Sequence, residues 1–297
     1  MRTRTRYIVG LIALMALGLY LLVVAKSHEP IVRGNPLSYW ISQNPKASPE
    51  AVQAAFSEMD DRCVQFLIRE LSWKPSPIVT KLNYFADRFI DSEPFRYQPD
   101  GRAAAADALG RLGSRATNAI PALENASHAW VGDPEAGTRA RGSAIAALIL
   151  IRHDSVDACA RKSLDYSDPV SYDCLSAIYY LGTNAASAVP LFVNAVETAT
   201  NEGVKCYAAH ALSSIHSRPE ISLPPLIAML TDTNRQFRSV AVMSLESFGM
   251  AAKPAWNALV VRLNDPEEDV RFWTTNTLRA IDSDAALQLG IKPIDSD

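Results

Sequence analysis

Between Arg102 and Asp282 the chain repeats one order of polar, small and apolar positions six times. Each unit ends on an aliphatic residue or Phe: Leu112, Ile151, Leu181, Ile215, Phe248 and Ile281. Three places before that stands Leu109, Leu148, Ile178, Leu212, Leu245 or Leu278. Seven places before it stands a small residue: Ala105, Ala144, Cys174, Ala208, Ala241 or Thr274. Taking the next residue as the anchor gives Gly113, Arg152, Gly182, His216, Gly249 and Asp282, spaced 39, 30, 34, 33 and 33 residues apart. Offsets of eight, five, four and one before the anchor share one face of a 3.6-residue helix, so that face is the core seam. Small residues on it let a neighbouring helix come close.

A turn and a second helix should complete each unit. The Gly anchors suit a helix end in a positive-φ conformation. Pro121, Pro190 and Pro224 each lie eight residues past an anchor, and Pro in a first helical turn loses no helical hydrogen bond. The fifth unit departs, with Asn257 there and Pro254 three places earlier. Upstream, residues 48–71 read as a degenerate pair of the same kind. Ser48 is an N-cap with Pro49 at the first helical position. Ala51, Ala55, Phe56 and Met59 form one stripe, Asp60-Asp61-Arg62 the turn, and Val64, Leu67, Ile68 and Leu71 the second stripe. Residues 78–90 read as another helix. Self-similarity at about 34 residues marks a stacked helical repeat and decides the fold class: all-α, a right-handed α-α superhelix.

The runs DPVSYDCLSAIYYLG, TNRQFRSVAVMSLESFG and DPEEDVRFWTTNTLRAI resemble HEAT-like repeats, including the type labelled after phycobilisome lyases. Asp168, Asp232 and Asp265 match the turn Asp of that family; Arg238 and Arg271 match its Arg, and Lys205 substitutes for it. The resemblance covers roughly residues 98–290 and implies that Asp and Arg bridge successive repeats. The opening PLSYWISQ, residues 36–43, resembles a segment that precedes bacterial HEAT-repeat ectodomains. The TPR and ankyrin signatures are absent.

Residues 7–25 form an uncharged apolar run preceded by Arg2, Arg4 and Arg6. At 1.5 Å per residue, 19 residues span about the thickness of a bilayer core. Positive charge stays cytoplasmic. The expectation is therefore a signal anchor or transmembrane helix over 1–26, a polar spacer over 27–47, and a solenoid over 48–297 outside the cytoplasm of a bacterium. Val23 and Ala25 leave a signal-cleaved, secreted or periplasmic form as the alternative. The net charge is −3 and no basic stripe stands out, so nucleic acid is not the expected partner.

The four cysteines, Cys63, Cys159, Cys174 and Cys206, form no CxxC and no cluster with His. They read as buried small hydrophobes, while an oxidising compartment leaves a Cys174–Cys206 or Cys159–Cys174 bridge open. The five histidines form no HExxH motif, and no GxSxG, Walker A or GxGxxG motif occurs. His28-Glu29 is the one His-Glu pair, which argues against the di-iron hydroxylases built on this repeat. His153-Asp154-Ser155 reads as a turn and cap, and Asn125-Ala126-Ser127 as a chance glycosylation match. No cofactor or metal is expected.

Offsets of ten, six and three before the anchor lie opposite the seam. Resemblance implies that this ridge lines the concave side of the solenoid. It carries Tyr172, Ser176 and Tyr179; Cys206, His210 and Ser213; Ser239, Met243 and Glu246; and Phe272, Asn276 and Arg279. Tyr172, Tyr179, His210, Glu246, Asn276 and Arg279 are the candidate protein-binding residues. Trp130, in the longer connection of residues 128–137, is a further candidate anchor. The functional expectation is a non-catalytic, membrane-tethered scaffold for a protein partner. A HEAT-borne enzyme of the bilin-lyase type is the alternative.

Overall fold

The computed structural model describes residues 29–42, 47–72, 101–128, 134–165 and 167–292. The apolar run of residues 7–25, the helix expected over 78–90, and Trp130 lie outside them. The chain divides into two compact units, residues 1–97 and 98–297.

In the first unit, β1 (Ile31–Val32) pairs antiparallel with β2 (Asn35–Pro36). Arg33 and Gly34 turn the chain with φ of 47° and 77°, the two-residue reversal that suits the twist of a hairpin. Helix α1 (Leu37–Ile41) follows and buries Leu37 and Trp40. The Trp40 indole donates to the Val32 carbonyl at 2.8 Å, which fixes α1 against the hairpin. The stretch read as a spacer is thus folded in part, because Leu37 and Trp40 at a helical i, i+3 spacing give it an apolar face.

Ser48 caps α2 (Pro49–Glu58), accepting from Ala51 N at 3.2 Å with Pro49 in the first turn. Asp60 then opens α3 (Asp61–Ser72) by accepting from the amides of Arg62 and Cys63. Ala55, Phe56, Met59, Val64, Leu67 and Leu71 are buried, as the two stripes require, while Ala51 and Ile68 are half-buried.

The second unit is built of helix pairs: α4 (Gly101–Leu112) with α5 (Ile120–His128), α6 (Pro134–Arg152) with α7 (Asp157–Ser163), and α8 (Ser171–Leu181) with α9 (Val189–Thr198). Then come α10 (Glu202–Ile215) with α11 (Pro219–Met229), α12 (Arg235–Glu246) with α13 (Trp256–Arg262), and α14 (Glu268–Ile281) with the short α15 (Ser283–Gln288). The first helices pack each on the next from α4 to α14, as a solenoid requires. All six small seam residues are buried, and so are the six apolar residues just before the anchors. Leu148 alone among the leucines and isoleucine of the middle row is half-buried.

Gly113, Gly182 and Gly249 have φ of 57°, 50° and 49°, a conformation open to Gly. Each opens a 3-10 segment of seven residues, Gly113–Ala119, Gly182–Ala188 and Gly249–Ala255, that leads into the second helix. The other anchors solve the turn differently. His153, one place after Arg152, takes φ 57°; His216 takes φ 32°. Asp282 stays extended and caps α15 by accepting from Ala285 N at 3.0 Å. Pro121 and Pro190 fall in first turns as expected. Pro224 does not: α11 starts at Pro219, so Pro224 and Pro225 lie inside it. Without a Gly anchor no 3-10 segment forms after α10, and the second helix begins sooner. Likewise α6 starts at Pro134, so residues 134–137 of the longer connection are helical.

Candidate functional site

Charged residues lock the stack before any surface is left to bind a partner. Arg238 of α12 donates from Nε and Nη2 to the Asp265 carboxylate, both at 2.9 Å, across to the next turn. Asp265 is fully buried at its side chain and also accepts from Arg262 Nη1 and Glu267 N. Burial alone would raise the Asp265 carboxyl, but the Arg238 guanidinium and the Glu267 amide hold it below its ordinary value. Arg238 Nη1 also donates to the carbonyls of Asp232 and Thr233, closing its own turn. Arg271 repeats that second feature on the carbonyls of Asp265 and Pro266.

One unit earlier, Lys205 stands 3.8 Å from Asp232 and over the Phe237 ring. The bridge therefore runs between repeats at the family positions from Lys205 and Arg238. Arg141 pairs with Asp173 at 2.8 Å and not with Asp168, which caps its own turn through Val170 N.

Two hydroxyls add a rung that the apolar pattern conceals. Ser244 donates to Ala209 O at 3.2 Å, and Thr277 to Val242 O at 3.1 Å. Both sit five places before their anchors and reach the carbonyl seven places before the preceding one. The earlier units hold Ala108, Ala147, Ala177 and Ala211 at that place. A reading that counts Ser and Thr only as small residues cannot tell these rungs from the alanines.

The ridge opposite the seam changes character along the unit. On α4 and α6 it is closed by packing: Gly110 faces Ala147, and Gly142 faces Ser176 and Ala177. From α8 onward it opens. Tyr172 and Tyr179 are 51% and 61% exposed, and Phe272 is 58% exposed. Tyr172 meets Tyr207 of α10 edge-to-face at 5.5 Å, so the aromatics of adjacent helices form one surface. Tyr207 was not among the expected residues; it lies nine places before its anchor, at the border of the ridge. His210 is exposed on the same helix, yet the surrounding chain disfavours its charged form and lowers its pKa. Glu246, Met243 and Ser239 are half-buried.

Two places on the ridge are differently engaged. Cys206 is buried, as expected of the cysteines, and adds nothing to the exposed surface of the ridge. Asn276 and Arg279 are already engaged: Arg279 Nη1 donates to Asn276 Oδ1 at 2.8 Å, and its Nε to Lys292 O at 2.7 Å. They secure the chain after α15 to α14.

In the first unit an open groove of about 760 Å³ lies between the hairpin and α3. The ion pairs Arg33–Glu58 and Arg62–Asp60 occupy its charged wall, so it offers no charge of one sign to a ligand. Among the described residues no group of three or more His, Cys, Asp or Glu side chains is placed to hold a metal ion, and no helix is long and apolar enough to cross a membrane.

Comparison with known proteins agrees with the repeat. Residues 223–289 match the family described as HEAT repeats, and residues 101–128 match the PBS lyase HEAT-like repeat. These segments of the second unit match HEAT repeats, and the helices of that unit stack as an α-solenoid. No curated protein matches it. Among solved structures it is similar to an engineered protein at 18% identity, covering 70% of this chain and 98% of that one, with a TM-score of 0.39. It is also similar to a designed armadillo repeat protein in complex with the peptide (KR)4, at 17% identity over 83% and 99% of the two chains, with a TM-score of 0.38.

Proposed function

We propose that the unit of residues 98–297 is a non-catalytic scaffold whose α8–α12 ridge docks a protein partner. The supporting observation is the exposure of Tyr172 and Tyr179 on α8, beside Tyr207 and His210 on the adjacent helix α10. Aromatic side chains offer large contact area at low entropic cost, and they dominate binding energy at protein interfaces. A preformed stack also lowers the ordering cost of association. Asn276 and Arg279 belong to the margin of this surface, since the segment after α15 occupies them. Glu246 sets its acidic end.

The apolar run of residues 7–25 supports tethering at the outer face of a bacterial cytoplasmic membrane, with secretion after cleavage as the other route. Protease added to intact spheroplasts should then degrade the solenoid; full protection would reverse the orientation. The function itself is tested by crosslinking and pulldown from membranes. A defined protein partner, lost on joint replacement of Tyr179 and His210 by Ala, supports the docking surface. Recovery of a tightly bound chromophore and no protein would favour a bilin-lyase-type activity instead.

A further inference from the structure

Two of the four thiols are neighbours. Cys159 is the third residue of α7, and Cys174 the fourth of α8. The Cys159 thiol donates to the Cys174 carbonyl oxygen at 3.6 Å, and both side chains sit in one apolar cluster. The sulfurs also sense each other. Contact with the Cys174 thiol, followed by burial, pushes Cys159 far up; the same contact, outweighing burial, lowers Cys174. Cys206 is raised by burial and by Glu202, with no thiol acting on it, and Cys63 belongs to the other unit.

We propose that Cys159 and Cys174 are a covalent modification site, forming an intramolecular disulfide that staples the second helix of one repeat to the first helix of the next. The oxidant is a low-molecular-weight disulfide such as oxidised glutathione. The Cys174 thiolate attacks one of its sulfurs and expels a thiolate, leaving a mixed disulfide. Cys159 then gives up its proton and attacks the Cys174 sulfur, expelling the second thiolate. Two protein thiols are oxidised to one disulfide, the small disulfide is reduced to two thiols, and the two protons released end on those thiols.

Because both sulfurs are buried, the reaction in the folded protein waits for the seven-residue α7 to open; during folding it does not. The bridge closes a short loop, which removes freedom from the unfolded chain and raises the unfolding midpoint.

The test uses the reduced full chain in detergent, in two arms: refolding from urea in a glutathione redox buffer, and incubation of the folded protein in the same buffer. Remaining thiols are alkylated, and the digest is mapped by mass spectrometry without reduction. The expected result is a Cys159–Cys174 cross-linked peptide, faster in the refolding arm, with Cys63 and Cys206 alkylated. Dithiothreitol should erase the link and lower the thermal midpoint of the same wild-type protein by several degrees. Alkylation of both Cys159 and Cys174 in both arms overturns the proposal, and so does pairing of either with Cys63 or Cys206.

Discussion

Replacing Asp265 by Ala removes the acceptor on which four donors converge: two from Arg238, one from Arg262 and one from the Glu267 amide. The carboxylate is fully buried, and the Arg238 side chain is 8% exposed. Arg238 keeps only the carbonyls of Asp232 and Thr233, both at 3.0 Å, as partners for a charge that water barely reaches. Breaking one side of such a pair costs about 3–5 kcal/mol. In a stack stabilised by neighbour contacts the loss should stay local. Hydrogen exchange should rise in α13 and α14 while α8 and α10 keep their protection, and urea unfolding should gain an early phase.

Replacing Arg238 by Met as well should recover part of the loss, because the stranded charge goes with its partner. Acid should act in the same direction. The folded pKa of Asp265 lies below its unfolded value, near 3.9. Its contribution is therefore whole above that value and lost as pH falls through the depressed folded pKa. A loss under about 1 kcal/mol for Asp265→Ala, or equal losses for the single and double variants, would refute the clasp.

Gly142→Ala should destabilise by about 1–3 kcal/mol despite the better helix former, since a Cβ there overlaps the Ser176 side chain and sits 3.0 Å from Ala177 N; Ser176→Ala should not rescue it, because the overlap includes the Ser176 Cβ. Thermal melts decide both. Thr277→Val keeps the volume and removes the bonds to Val242 O and Trp273 O; a loss of about 1 kcal/mol in urea titrations is expected. Tyr179→Ala with His210→Ala should change stability by no more than about 1 kcal/mol, as exposed ridge positions do, while lowering partner recovery in the pulldown. A marked drop in melting temperature would show that the pair supports the stack.

The seam was legible because its physics is periodic. A helix that buries one face needs apolar or small residues at fixed offsets, and all six registers keep them. The Arg238–Asp265 clasp was legible through resemblance, since one sequence does not reveal which turn a guanidinium reaches. Arg141 illustrates the limit: it takes Asp173, inside α8, and leaves Asp168 to its own turn. Pro224 was misplaced because a fixed offset from the anchor assumes a 3-10 segment that forms where Gly is the anchor. The hairpin at Arg33-Gly34 escaped because two-residue strands carry no alternation to read. On the ridge, Tyr172 and Tyr179 were found by offset alone. Cys206 shares their offset pattern yet is buried, because an offset gives an angle on one helix and says nothing of how closely its neighbours pack.

Ser171 stands where other repeats place Arg or Lys. A hydroxyl cannot reach forward to the next turn, so the joint from α8 to α10 lacks the ionic fastening that holds α12 to α14. Bending of the solenoid should concentrate at this softer joint, as a hinge does between stiffer leaves. Tyr172 and Tyr207 meet across it. A partner seated on them would straddle the pivot, so docking and curvature would be set by the same contact.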